Sequence, residues 1–409
     1  MVPEGWSEKT FNDLLDAGDL ASIQDGNHGD IHPKAADFVP DGVPFVMARD
    51  LKGGTIGFSG CSFISQVQAD SLRIGHAYPG DVLISHKGTI SNVAVVPDAY
   101  EMVILTPQVT LYRTSSGGRI DSKYLRAFLQ SERYQARFLA LAFQSTRNYL
   151  GITQQKKFSV PLPPLPEQRK IADILSTWDA AIEKTEALLA TAKAQKRALM
   201  QSLLTGKRRF PEFEGQPWKE VRLGDVATIA MGSSPKSAAY NDDGVGLPLI
   251  QGNADVKNGR SAPRTFTSEI TTRCAPGDIL LSVRAPVGSV AISDHEACVG
   301  RGGAVIRPIE GHSWLWLKHL MLWLEPQWAR VSQGSTFEAV NSKDIKTFLI
   351  PLPSSQSEED ALGNAIETAH LECSALVGQI AKLRTEKKAL MQQLLTGKRR
   401  VTVEEHHGI

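Results

Sequence analysis

Cysteine is scarce in this chain: four in 409 residues, at positions 61, 274, 298 and 373, none in C-x-x-C spacing. That excludes a thiolate zinc cluster and a disulfide framework, and it suits a reducing compartment. Charge of one sign is also missing. Lys and Arg number 45 against 44 Asp and Glu, a net charge of +1. No overall basic field draws the molecule to nucleic acid, so any such binding must use local patches. Long apolar runs are absent too. The most apolar stretch, 314–324, contains Lys318 and His319 and is too short to span a bilayer. It reads as an amphipathic helix. The opening Met1-Val-Pro-Glu-Gly-Trp6 has neither the basic nor the apolar region of a signal peptide. A cytoplasmic protein with no membrane partner is expected.

What the chain does have is a duplication. Ala198-Leu-Met-Gln-Ser-Leu-Leu-Thr-Gly-Lys-Arg-Arg209 returns as Ala389-Leu-Met-Gln-Gln-Leu-Leu-Thr-Gly-Lys-Arg-Arg400, 191 residues later. That period is far longer than the roughly 20 to 50 residues of a solenoid unit. Phe158-Ser-Val-Pro-Leu-Pro163 matches Phe348-Leu-Ile-Pro-Leu-Pro353, and Ser145-Thr146 matches Ser335-Thr336. Pro79-Gly-Asp-Val-Leu-Ile-Ser85 matches Pro276-Gly-Asp-Ile-Leu-Leu-Ser282, and Trp6 matches Trp218. Each copy is therefore a whole module with one variable globular part and one near-constant helical part.

The helical parts are legible from a second absence. Between Pro166 and Gly206 there is no Gly or Pro. Pro166 suits a first helical turn and Gly206 a C-terminal stop, followed by the basic run 207–209. Alternating steps of four and three select Ile171, Leu175, Trp178, Ile182, Thr185, Leu189, Ala192, Lys196, Leu199 and Leu203. The same seam in the second copy is Leu362, Ile366, Ala369, Cys373, Leu376, Ile380, Leu383, Lys387, Leu390 and Leu394. More than four heptads with charged outer faces predict a coiled coil. Helix one delivers the chain to the second module and helix two must run back, so the pair is antiparallel, with a pseudo-two-fold axis. The second copy lacks P-L-P-E-Q at its helix start, where Ser357 and Asp360 are expected to form a capping box.

The globular parts read as short Val, Ile and Leu runs punctuated by Gly, Pro, Asn and Asp, which predicts strands at 82–85, 93–96, 109–112, 279–283 and 290–292. Helices are expected at 122–142 and 314–331. The fold class is thus α+β: strand-rich globular domains at 1–160 and 210–350, long helices within 161–209 and 351–400, and a tail at 401–409.

Trp6 or Trp218, then P-G-D-(V/I)-L-(I/L)-S, then Ser-Thr, then Pro161-Leu-Pro-Pro-Leu-Pro-Glu-Gln168 before a long helix: this order resembles the specificity subunit of type I restriction-modification systems. Ile23-Gln-Asp-Gly-Asn-His-Gly29 and Gly232-Ser-Ser-Pro-Lys236 with Tyr240 resemble openings of its target recognition domains. The resemblance spans essentially the whole chain. It implies that each globular domain reads one half of a split DNA sequence, that the helices set the gap, and that the chain has no chemistry of its own. It further implies docking of two methyltransferase subunits, which use S-adenosylmethionine, and of two endonuclease subunits, which use ATP and Mg²⁺. The outer faces of the helices and the basic ends 207–209 and 398–400 are the expected docking surfaces.

Base reading requires side chains that form paired hydrogen bonds, and phosphate anchoring requires cations. In the first domain the candidates are Asn27, His28, Lys34, Arg49, Lys87, Gln144, Thr146, Arg147 and Asn148. In the second they are Ser234, Lys236, Gln251, Asn253, Arg284, Arg301, Ser335 and Thr336. Lys87 and Arg284 fall in register, just after P-G-D-x-L-x-S. No methyltransferase Asn-Pro-Pro motif and no complete phosphate loop occurs, and no metal site is expected. Two rival readings stay open: a protein–protein adaptor, and a Mg²⁺ nuclease using Asp41, Asp50 and Lys52.

Overall fold

The computed structural model describes residues 2–28, 31–144, 148–332 and 339–403. The chain forms two compact units, Met1–Thr185 with Gln379–Ile409, and Glu186–Gly378. Each unit therefore owns one globular part and one half of each long helix, so the boundary runs through the helices rather than at their ends.

In unit 1 the central sheet is built from β1 (Leu20–Asp25), β2 (Val82–Ser85), β3 (Val93–Val95) and β4 (Val109–Thr114). Their order across the sheet is β1-β4-β2-β3, all antiparallel. The helical stretch after it is two helices, α1 (Ser122–Gln130) and α2 (Glu132–Ala142). Ser131 ends the first, and its hydroxyl accepts a hydrogen bond from the Tyr134 N–H to start the second. The first long helix is α3 (Leu165–Leu203), which places Pro166 in the opening turn.

Unit 2 repeats the plan with β5 (Ala227–Met231), β6 (Ile279–Ser282), β7 (Val290–Ile292) and β8 (Gly303–Pro308), ordered β5-β8-β6-β7. Its helix α4 (Trp314–Ser332) runs unbroken through Pro326, and α5 (Gln356–Leu394) is the second long helix. Each unit also has a five-stranded sheet with one parallel pair, Val43–Val46 beside Val103–Leu105 and Leu247–Ile250 beside Ala297–Val299. A two-stranded ribbon joins the entry and exit of each globular part: Ser7–Thr10 with Ser159–Leu162, and Lys219–Arg222 with Leu349–Leu352.

The long helices carry 39 residues each, about 58 Å at 1.5 Å per residue. Within each unit their partners rise in number on one helix as they fall on the other. In unit 1 Glu167 meets Arg400 and Asp179 meets Lys387; in unit 2 Lys196 meets His370 and Arg209 meets Glu358. The pairing is antiparallel in both. All the seam positions named above are buried or half-buried. The seam merges with the globular cores: Ile171, Leu175, Met391 and Leu394 pack with Phe11, Tyr124 and Phe158, and Leu203, Leu362 and Ile366 with Trp316 and Leu320. At Gly363 an added Cβ would stand 2.7 Å from the Leu315 Cβ, so glycine is what lets α5 lie against α4.

The duplicated L-T-G-K-R-R motif closes each unit. Gly206 and Gly397 adopt left-handed φ values of 68° and 69° and turn the chain after the helix. The last arginine then reaches the start of the other long helix. Arg209 forms a fork with Glu358 (2.7 and 2.8 Å), and the Trp218 indole N–H donates to the same carboxylate at 3.0 Å. In unit 1 Arg400 grips Glu167 in the same way (2.7 and 2.8 Å), and Trp6 donates to it at 3.0 Å. Each guanidinium also lies over its tryptophan ring, at 5.8 and 5.7 Å. Burial opposes ionisation of Glu358, but the bonds from Arg209, Ser354 and Trp218 outweigh it and hold its carboxyl below the usual range. Two expectations are corrected here. Arg209 and Arg400 are each engaged by a glutamate of their own unit rather than being free for partners. And α5 is capped by Ser355, whose hydroxyl accepts from the Glu358 N–H, not by Ser357 with Asp360.

The polar seam position is explained as well. Lys387 and Arg126 share the carboxylate of Asp179 in unit 1. In unit 2 Lys196 bonds His370 at 3.0 Å, while Lys318 and His319 share Glu367 at 2.5 and 2.7 Å. Two histidines thus sit beside two lysines and one carboxylate. Burial, then Lys318, holds His319 down to about 4, only partly offset by Glu367. Burial and Lys196 lower His370.

Arg209→Ala should destabilise unit 2 by about 3 kcal/mol, because Glu358 is left buried and unpaired. Arg400→Ala, at a more exposed pair, should cost unit 1 about 1 kcal/mol; thermal unfolding of the two variants measures both. A second expectation concerns pH. The unfolded imidazoles titrate near about 6.5, so below that pH the unfolded chain binds protons that folded unit 2 refuses. Its stability is complete above pH 6.5 and falls as the pH drops toward 4, by about 3 kcal/mol. His319→Gln should flatten that slope in melts recorded from pH 7.5 to 4.5; an unchanged slope would remove His319 as its source.

Candidate DNA interface

Antiparallel pairing brings the ends of β1 and β2 and the beginnings of β3 and β4 to one edge of the central sheet. The connections there are the chain after Asp25, the β2–β3 loop 86–92 and the turn 106–108. Gly26 and Asn27 are tied to this edge through N–H bonds to Val109 O (2.8 Å) and Leu105 O (2.7 Å). Lys87 is exposed, and its backbone bridges to Tyr149. Asn148, exposed and left-handed at φ 47°, is drawn in by the same bridge. Exposed Arg49 is brought close when Asn92 Nδ2 donates to Ala48 O at 3.4 Å. His28 is exposed at the same edge, its Nδ1 3.1 Å from Gly26 O.

Unit 2 gathers its counterparts in the same way. The ends of β5 and β6 and the beginnings of β7 and β8 share an edge. Ser234 follows β5, Arg284 follows β6, and Arg301 precedes β8; the Arg301 N–H donates to Ser234 Oγ at 3.4 Å. Gln251 is held beside them because Gly300 N donates to Ile250 O at 2.8 Å. Asn253 follows Gly252, which packs on Gly302. Arg284 bridges to Ala339, as Lys87 does to Tyr149.

Some sequence candidates stand elsewhere. Asn27 is buried at 1 % exposure with its amide toward His32, so it serves the fold and is not presented to a ligand. Lys34, Gln144 and Lys236 are exposed, but among the described residues no contact ties them to these edges. Thr146, Arg147, Ser335 and Thr336 lie outside the described residues. Of the proposed nuclease set, Asp50 is buried and accepts from the Met47 N–H at 2.8 Å, while Asp41 caps Gly42. Among the described residues no group of three or more His, Cys, Asp or Glu is placed to hold a metal ion.

The structure also shows residues that sequence reasoning missed. Beneath Lys87, buried His86 lies 2.7 Å from Thr110 Oγ1, which donates to Asp25 at 2.8 Å and accepts from Gln155 at 3.1 Å. Burial holds the His86 imidazole low against the pull of Asp25. This network stiffens the base of the β2–β3 loop, and unit 2 has Val283 in place of the histidine. The P-G-D aspartates prove structural. Asp81 forks with Arg113 and caps Tyr78 N, and Asp278 forks with Arg307 and caps Ala275 N.

The sequence pattern of the type I restriction modification DNA specificity domain matches residues 3–193 and again 215–364. The chain belongs to that family. It is therefore a DNA-recognition subunit of a type I restriction-modification system, and its family is non-catalytic. A putative MjaX specificity subunit of Methanocaldococcus jannaschii is 27% identical over 98% of this chain and 95% of its own length. The EcoBI specificity subunit of Escherichia coli is 22% identical over 78% of this chain and 72% of its own. A chain solved in work on complex assembly and conformational transition of a type I R-M system is 25% identical, with TM-score 0.62, covering 98% of this chain and 100% of that one. The M. genitalium S subunit, 15% identical over 96% of both chains with TM-score 0.64, has the same fold. No helix among the described residues is long and apolar enough to cross a membrane.

Proposed function

We propose that each unit reads one half of a bipartite DNA sequence through its central-sheet edge, and that the two long helices fix the unread gap. The observation that carries this reading is the repetition. In both copies, polar and cationic side chains converge at the same edge, with Lys87 and Arg284 at equivalent places. Sequence-specific reading needs such exposed donors, and phosphate anchoring needs the cations among them. The helices serve as spacer because both units share them. For half-sites about one helical turn apart, with about three to four base pairs each, the gap is about six to seven.

The helices hold two methyltransferase subunits, and the complete complex adds two endonuclease subunits, in the cytoplasm. The chain binds no cofactor. S-adenosylmethionine belongs to the methyltransferase, and ATP with Mg²⁺ to the endonuclease.

The deciding experiment is single-molecule sequencing of DNA from cells carrying this chain and its methyltransferase. A split adenine-methylated sequence that disappears with the chain is the expected result; its absence beside an active methyltransferase, with binding insensitive to salt, would favour an adaptor. Lys87→Ala and Arg284→Ala should each weaken binding of their half-site by about 1–3 kcal/mol, read as half-site affinity. Seven residues inserted into both helices should lengthen the methylated gap by about three base pairs, from roughly 10 Å of added helix.

A further inference from the structure

The two central sheets share a strand plan and differ in one polar network. In unit 1 its hydrogen bonds all run one way. The Tyr112 O–H donates to Gln155 Oε1 at 2.7 Å, Gln155 Nε2 to Thr110 Oγ1 at 3.1 Å, and the Thr110 O–H to Asp25 Oδ1 at 2.8 Å. His86 Nδ1 lies 2.7 Å from the same hydroxyl and 3.6 Å from the same carboxylate oxygen. The strand registers and the sequence repeat put Met231, Val283, Ala304, Ile306 and Ile345 where unit 1 has Asp25, His86, Thr110, Tyr112 and Gln155. Every polar member has an apolar counterpart. The sheet therefore forms without the network, and burying polar groups where apolar ones suffice adds no stability.

What the network presents is the carboxylate at its end. Asp25 closes β1 at the recognition edge, and its side chain is 22% exposed while Thr110 and His86 beneath it are sealed. The strand end is fixed there, because a Cβ added at Gly26 would collide with Thr106 O. Among the described residues no lysine or arginine pairs with Asp25, although exposed Arg49 and Lys87 stand at the same edge. Those cations suit phosphates. A carboxylate among them is repelled by phosphates, and its place at the edge is favourable only where a base gives it a hydrogen bond. An ionised carboxylate accepts and cannot donate. Cytosine is the one base whose major-groove edge offers a donor and no acceptor; the adenine amine is flanked by N7, and guanine and thymine offer acceptors.

We propose that Asp25 reads a cytosine in the half-site of unit 1, accepting a hydrogen bond from its N4 amine, and that Thr110 is the positioning residue that aims the carboxylate. The inference rests on the reading of the central-sheet edge as the DNA interface. Thr110 has one hydroxyl proton, and it gives that proton to Asp25 because its lone pairs face Gln155 and His86. One carboxylate oxygen is thereby held inward and the other is left for the base. Unit 2, with Met231 at this place, reads its half-site without a carboxylate here.

The test reads the methylated sequence directed by the full chain with its methyltransferase, for wild type, Asp25→Asn, Asp25→Met and Thr110→Val. Competition binding of the purified complex to duplexes changed one base pair at a time measures each preference. Wild type should require cytosine at one position of one half-site. Asp25→Asn keeps the shape, but Thr110 holds its oxygen inward and leaves the amide N–H for the base. It should lose a preference for cytosine of about 5- to 150-fold and admit bases that present an acceptor. Thr110→Val should loosen the same position and no other. Asp25→Met copies unit 2, so it should fold and lose the cytosine requirement without gaining another; thermal melts check folding. A cytosine requirement that survives in Asp25→Asn or Asp25→Met would overturn the proposal. So would even loosening of the whole half-site in folded variants, or a wild-type sequence with no fixed cytosine in the half-site they alter. A wild-type chain that directs no split methylation would instead bring down the underlying reading of the edge.

Discussion

Each unit of this chain is closed by the grip of one arginine on one glutamate beneath one tryptophan. Glu358 in unit 2 is fully buried and could not be left unpaired without a large desolvation cost, while Glu167, also buried, is held by a more exposed arginine. Arg209 and Arg400 meet that requirement, and in doing so they bind the end of one long helix to the start of the other. The indole N–H groups complete the carboxylates' hydrogen bonding and fasten the opening segment of each globular part to the same point. The helix register, the entry of the chain into each globular part and the docking of the ribbon strands all follow from these two contacts.

The clasp also explains why the helical parts are conserved between the copies while the globular parts diverge. An arginine fork, a left-handed glycine and a tryptophan have exacting geometry, so L-T-G-K-R-R returns unchanged. The loops at the sheet edges carry no such burden. They are free to vary in the residues they present, while P-G-D holds the strand geometry beneath them through Asp81–Arg113 and Asp278–Arg307. Recognition is thereby separated from scaffold within each unit.

The copies are not interchangeable in their polar interiors. The seam lysine meets Asp179 in one unit and His370 in the other, and the equivalent of Gln168 is the buried Glu359, which bonds His312 and the Ser313 N–H. Burial raises the Glu359 carboxyl above its usual range, against the pull of those partners. A shared backbone plan thus carries two different electrostatic interiors.

Much of this was legible in the sequence because its signals are local. Seam residues such as Ile171, Leu175 and Leu362 announce themselves by spacing along a helix, and a repeat is visible whatever its fold. Several strands and the α+β class follow from short apolar runs between turn residues. The position of Asn27 was not legible, because an amide that serves the fold and one that reads a base have the same composition. Nor was the His86–Thr110–Asp25 network, whose members lie on three strands or their ends. The sequence by itself determined the duplication, the two helices and their periodicity. Only the tertiary structure decided which carboxylate each duplicated arginine meets, since Arg400 and Glu167 are 233 residues apart and are paired by packing that no local pattern records.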